Sequence, residues 1–158
     1  MNTELMLQVT AFVWQEADQL DHGEYTPWLQ SWTEDGLYIV PIDAEATDLA
    51  NALNYAYDNA EMRNKRVARL GSGESISTTP QPRTVREVSR FRILGDDGTT
   101  VQVRCAQNLC EFRKDTIKHY TANVQYTLVR QGGSFRIQRK VVRLINSSDV
   151  LQCIGYIL

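Results

Sequence analysis

One stretch, LDHGEYTPWLQSWTEDGLYIVP from Leu20 to Pro41, holds most of the side chains suited to chemistry. Asp21 and His22 are adjacent, and a carboxylate that orients an imidazole makes a general acid or base. Glu34-Asp35 is a second acidic pair. Trp28 and Trp32 could line an apolar pocket, and Tyr38 could donate to a developing oxyanion. Further along, Tyr57-Asp58 offers a hydroxyl beside a carboxylate. Together these residues describe the acid/base corner of a small hydrolytic or isomerising pocket.

The same residues also read as folding signals. A histidine in the last turn of a helix complements the dipole, and Asp21 can bond the backbone that follows it. Aromatic side chains on a short helix more often wedge it onto a sheet than line a site. Asp58 is expected to pair with a basic side chain, Arg83 or another from the basic clusters. No nucleophile or second catalytic group adjoins Asp21-His22, which favours the folding role. His119, beside Tyr120 on an alternating segment, reads as a surface or interface histidine. Ser72 to Ser77 is a glycine- and serine-containing loop but lacks the lysine of a phosphate-binding loop.

The 158 residues suit one domain, spanning 1–158, whose core needs no metal or disulfide. A hydrophobic content of 42% and a charged content of 23% are ordinary for a globular chain. A net charge of −2 gives no reason to expect nucleic acid. Basic residues nonetheless cluster at Arg63 to Arg69 and Arg83 to Arg92. The three cysteines, Cys105, Cys110 and Cys153, are odd in number and lack zinc-type spacing, which points to reduced thiols in the cytoplasm. Cys105 and Cys110 should face opposite sides of a strand. No basic segment precedes an apolar run at the start, and no run approaches a membrane span.

The positioning elements follow from periodicity. Leu5, Val9, Phe12, Val13, Ala17 and Leu20 recur at helical spacing, predicting a helix over 4–22 with Gly23 after its end. Thr26 and Pro27 are expected to cap a short second helix. Asp35-Gly36 reads as a turn before the strand LYIVP. Residues 42–54 read as a loop with a helical turn, and 56–70 as a third helix, with Met62, Arg66 and Leu70 on one face and Gly71 closing it. A loop follows at 71–82. Strands are expected near 83–94, 99–113, 117–130, 134–146 and 150–157, separated by GDDG, KDT and QGG turns. Alternating strands need a cover on their apolar face. The predicted fold is therefore α+β: a strongly curved antiparallel sheet with N-terminal helices packed on it, a cystatin-like cone roll.

Four segments in order carry a resemblance. FVWQEADQLDHGEYTPWLQSWTEDGLYIVP resembles the opening of the small (β) subunit of bacterial aromatic-ring-hydroxylating dioxygenases, which has a nuclear-transport-factor-like cone fold. YDNAEMRNKRVARL is similar to its central helix at Tyr57, Asp58, Arg66, Val67, Arg69 and Leu70. PQPRTVREVSRFRI resembles the entry to its long sheet at Pro82, Arg83, Thr84, Val88 and Ser89. RKVVRLINSSDV and IGYIL resemble its closing strands. The chain departs from the pattern at Arg90, where many relatives carry Asn, and at Met62, where Leu is usual.

The resemblance implies a non-catalytic subunit of a multicomponent dioxygenase for aromatic catabolism. In such enzymes an α subunit carries a Rieske iron–sulfur cluster and a mononuclear iron. The β subunit binds no metal, joins α subunits in a three-plus-three hexamer, and sometimes tunes substrate preference. Ligand counting agrees: a Rieske centre needs two Cys and two His, and a mononuclear oxygenase iron needs two more His. This chain has two histidines in all, and no Cys-x-His pair. The expected partners are the catalytic α subunit and further copies of this chain, as a trimer, with no nucleic acid or membrane. Interface candidates are Arg63, Arg66, Arg69, Arg83, Arg86 and Arg90. The alternative is a free-standing cone-fold dehydratase or isomerase acting on a small cyclic substrate. Its pocket would draw on Asp21, His22, Trp32, Tyr38, Tyr57 and Asp58.

Overall fold

The computed structural model describes residues 2–72, 82–146 and 156–158. Helix α1 (Thr3–Asp21) begins where the Asn2 side chain accepts the Leu5 N–H, and it ends at His22. Gly23 then takes a positive φ of 69°, as expected for a residue just beyond a helix. Leu5, Val9, Val13, Ala17 and Leu20 form the buried stripe of α1. Helix α2 (Tyr25–Gln30) starts one residue before the predicted cap, with Glu24 in the cap position and no side-chain bond. Pro27 therefore lies inside the first turn. It costs nothing there, because the first N–H groups of a helix have no partner within it.

Strand β1 (Trp32–Pro41) contains the Asp35-Gly36 dipeptide that was expected to turn the chain. The strand survives because its pairing with β6 shifts register between Trp32 and Leu37. A Cβ on Gly36 would sit 2.8 Å from the Trp32 ring and 3.0 Å from the Ile137 carbonyl oxygen. The glycine thus marks a close approach within a strand rather than a turn. A single 3₁₀ turn, Leu49–Asn51, is the helical turn anticipated in the following loop.

Strand β2 (Asn54–Asp58) corrects the reading of 56–59 as helix. Tyr57 pairs with Ile39 and Asp58 with Tyr38, so alternation governs NYAYD. Helix α3 (Ala60–Ser72) begins after Asn59, whose side chain accepts the Met62 N–H at 3.0 Å. The helix passes through Gly71 instead of closing there. Its buried face holds Arg63 and Leu70, with Val67 against the core, while Met62 is 48% exposed. Met62 was expected to share one face with Arg66 and Leu70. Arg63 takes that place because its guanidinium stacks 4.1 Å from the centre of the Trp32 ring.

Strands β3 (Arg83–Asp96), β4 (Thr100–Arg113), β5 (Thr116–Gln131) and β6 (Ser134–Leu144) complete a six-stranded, curved, unclosed sheet. Its order is β2-β1-β6-β5-β4-β3. All pairs are antiparallel except β1 with β6, which is parallel and departs from the expected all-antiparallel sheet. The parallel pair arises because the chain passes from the β2 edge through α3 to the opposite edge at β3, and the antiparallel run β3 to β6 then returns alongside β1. The α+β expectation holds, with α1 packed across β3 and β6. Cys105 faces the core, Cys110 the other side, and both are free. Cys153 and most of the strand expected at 150–157 lie outside the described residues, as does most of the 71–82 loop. Tyr156, Ile157 and Leu158 are buried but form no strand.

Candidate functional site

The interior of the cone holds a chain of charged and hydroxyl groups. At its centre is Glu16 on α1, 3% exposed. Its carboxylate accepts from Trp28 Nε1 at 3.0 Å, from the Tyr126 hydroxyl at 2.6 Å, and from Lys140 Nζ at 3.1 Å to each oxygen. Lys140 is fully buried, and burial lowers its pKa despite the adjacent carboxylate. Burial raises the Tyr126 hydroxyl well above its usual value, with Glu16 adding to the effect. Cys105 is pushed up to about 12 by burial, so it is an inert thiol. None of this was flagged from sequence. Glu16 lies off the apolar stripe that periodicity assigns to α1, and a lone charge in a sequence gives no sign of a buried partner.

Asp21 lies at the rim of the same interior. Its carboxylate accepts from Thr84 Oγ1 at 3.0 Å, from the Arg86 N–H at 2.9 Å and from Arg86 Nη1. Arg86 Nη2 in turn donates to the Ile157 carbonyl. Tyr38 is fully buried, accepts the Leu158 N–H at 2.9 Å, and is pushed up to about 12 by burial. The Tyr156 hydroxyl donates to Glu111, and burial raises its pKa. Residues 156–158 therefore occupy the interior against Tyr38, Arg86 and Glu111.

The pocket expected of a free-standing enzyme does not assemble. His22 projects to solvent, with its ring nitrogen Nδ1 on the Asp18 carbonyl at 2.8 Å and its pKa raised chiefly by that contact. Tyr38 and Tyr57 lie on opposite faces of the sheet, because Tyr57 pairs with Ile39 and packs in the separate cluster of Ile39, Leu49 and Val141. Trp32 stacks edge-to-face on Trp28 at 5.6 Å and beneath Arg63, and its indole N–H is buried without a partner. Asp58 holds Arg66 in a two-pronged pair at 2.7 and 3.1 Å. Its partner comes from the basic helix, as anticipated, but is not Arg83.

The basic candidates divide. Arg63 is 2% exposed, and burial lowers its pKa to about 10 while it donates to the Gly36 and Asp58 carbonyls. Arg66 and Arg86 are likewise committed to Asp58 and Asp21. These three have little surface to offer a partner in this conformation. Arg69, Arg83 and Arg90 are exposed. Exposed His119 lies on β5 opposite Cys110. Among the described residues, no three His, Cys, Asp or Glu side chains gather as a metal site. Nor is any helix there long and apolar enough to cross a membrane.

Residues 15–150 match the family model for the ring hydroxylating beta subunit. The chain belongs to that family. It is 29% identical over 143 residues to the small subunit of 2-halobenzoate 1,2-dioxygenase from Burkholderia cepacia, covering 86% of each chain. The beta subunit of benzoate 1,2-dioxygenase from Burkholderia mallei superposes with a TM-score of 0.74 at 26% identity. That match covers 94% of this chain and 95% of the other. An NTF2-like protein with a cystatin-like fold from Novosphingobium aromaticivorans superposes at 0.65 with 14% identity, covering 93% and 86%, a likeness of fold alone. The expected cone fold is thus the observed one. Beta-subunit membership also gives a context for an interior in which carboxylates and hydroxyls are engaged with one another.

Proposed function

We propose that this chain is the non-catalytic assembly subunit of a multicomponent aromatic-ring-hydroxylating dioxygenase. It acts in the cytoplasm as a single cone unit spanning 1–158. Its partner is a catalytic alpha subunit carrying the iron–sulfur cluster and the mononuclear iron, and three copies join three alpha subunits. Two of the proteins named above are small or beta subunits of 2-halobenzoate and benzoate 1,2-dioxygenases, which supports this role. The observation that carries it is the occupied cone interior. Tyr38, Arg86 and Glu111 are bonded to residues 156–158, where a cone-fold enzyme would leave space for substrate. Among the described residues, the polar side chains that face residues 156–158, Tyr38, Arg86 and Glu111, are all engaged in hydrogen bonds.

The test is co-expression with the oxygenase alpha subunit of the same host. Co-purification at the mass of a three-plus-three assembly is expected, with ring dihydroxylation by the complex and none by the purified chain alone. Turnover of a small cyclic ketone by the isolated chain, or no association with the alpha subunit, would overturn the proposal.

A further inference from the structure

A groove of about 1000 Å³ opens on the sheet between the β3 bulge and the 44–47 loop. Four arginines line it, Arg90, Arg92, Arg104 and Arg143, against one acidic residue, Glu45. The whole chain has a net charge of −2, so this is a local concentration of positive charge against the overall sign. Among the described residues, none of the four arginines forms an ion pair with a carboxylate. Arg90 donates to the Asn123 side-chain oxygen at 3.1 Å, and Arg143 to that of Gln125 at 3.3 Å. Strand β5 thus supplies neutral amides where carboxylates would have cancelled the charge.

Arg92 and Arg104 stand directly opposite each other across β3 and β4. Both are exposed. Like charges at opposed positions disfavour pairing of the strands, so the folded chain gains nothing from this choice. The neighbouring bulge, between Ser89 and Arg92, carries Arg90 at a φ of 57°. Bulges re-aim side chains, and a non-glycine residue in the left-handed region is uncommon. Arg143 Nη1 also donates to the Ala44 and Ala46 carbonyls, at 2.9 and 2.7 Å, which fixes the far wall. Phe91, Leu144 and the exposed Ile145 add apolar surface to the groove.

We infer that this groove docks an acidic segment of the catalytic alpha subunit, one that carries an apolar side chain among its carboxylates. The inference rests on the assembly role proposed above and assigns that role a surface. Planar guanidinium groups suit carboxylates because each can engage both oxygens. Arg92 and Arg104 are the most available pair, since neither has a competing partner among the described residues.

The experiment measures binding of the purified alpha subunit to the wild-type chain and to the single variants Arg92→Glu and Arg104→Glu. Each variant should bind at least about tenfold more weakly, because charge reversal on an interface converts attraction to repulsion. Raising NaCl from about 50 to about 500 mM should weaken the wild type far more than either variant. An oligoglutamate peptide should displace the alpha subunit from the wild type alone. Each variant places a carboxylate opposite the remaining arginine, so its melting temperature should not fall, which separates docking from folding. Arg92→Lys, which keeps the charge but loses the paired bond, should bind more weakly than wild type and more tightly than Arg92→Glu. Failure of the wild-type chain to bind the alpha subunit overturns the assembly role itself. Unchanged binding and salt dependence in both variants overturns the groove alone. A loss of self-association without any loss of alpha-subunit binding also overturns it, because the occupant is then a second copy.

Discussion

Lys140 Nζ lies 3.1 Å from both carboxylate oxygens of Glu16, so a fully buried ion pair joins the last strand of the sheet to the first helix. Trp28 and Tyr126 complete the coordination of the carboxylate, leaving no oxygen without a donor. Removing one member strands the other in a dry interior. Lys140→Met should cost about 3–5 kcal/mol. Adding Glu16→Gln to Lys140→Met should recover part of that loss, because the neutral amide oxygen can accept from Trp28 while its NH2 donates to the Tyr126 hydroxyl oxygen. Urea unfolding of the two single variants and the double variant measures the coupling. Additive losses would show that the pair does not act as a unit.

Gly36 is held where a methyl group would meet the Trp32 ring at 2.8 Å and backbone oxygens of Ile137 and Thr33 at 3.0 and 3.1 Å. Two of those three contacts are backbone, so relaxation is limited. Gly36→Ala should destabilise by about 1–3 kcal/mol, the usual cost of overpacking. Thermal unfolding followed by tryptophan fluorescence tests this, since Trp32 and its stacked neighbour Trp28 report on the site. An unchanged melting temperature would show that β1 shifts freely past β6.

Periodicity made α1 and the four long strands legible, because Val9, Val13 and the alternation through Val101 and Val103 are set by burial on one face. The order of helices and strands then implied a covered, curved sheet. Asp35-Gly36 misled because the same dipeptide serves a turn and a bulge, and only the close approach of Trp32 distinguishes them. Residues 56–58 misled because Ala and Asp next to a true helix mask the two-residue period of NYAYD. Of the candidate site, Asp21 and Tyr38 were named as pocket candidates, but their partners, Arg86 and the backbone of Leu158, lie far away in sequence. Lys140 and Glu16 stayed hidden because charge in a sequence reads as surface unless its partner is known.

Asp96, at the end of β3, accepts both guanidinium prongs of Arg130 at 2.6 and 2.9 Å, and the Gly98 N–H at 3.0 Å. The Arg130 contact, helped by the Gly98 amide, lowers its pKa to about 2. A carboxylate depressed by folding stabilises the native state above its unfolded pKa, and that contribution disappears as pH falls through the folded value. The bond should therefore be fully present above pH ~4 and lost progressively toward pH ~2. NMR titration of the Asp96 carboxyl should follow that window, and the acid-induced part of the stability change should shrink in Asp96→Asn. A midpoint near the usual carboxylate value would show that the Arg130 pair is not maintained in solution.

Residues 156–158 fill the cone interior, so shortening their side chains tests whether that filling holds the fold as well as excluding substrate. Ile157 and Leu158 are 1% and 2% exposed. Ile157→Ala should cost about 2–5 kcal/mol, as for other fully buried aliphatic truncations. The cavity left beside Tyr38 and Arg86 should admit a small aromatic probe such as benzene or indole, whose addition should restore part of the lost melting temperature by binding the folded state. Isothermal calorimetry should find no such binding to the wild-type chain. If wild type binds the probe as well as the variant does, the interior is already accessible, and the observation on which the assembly role was built fails.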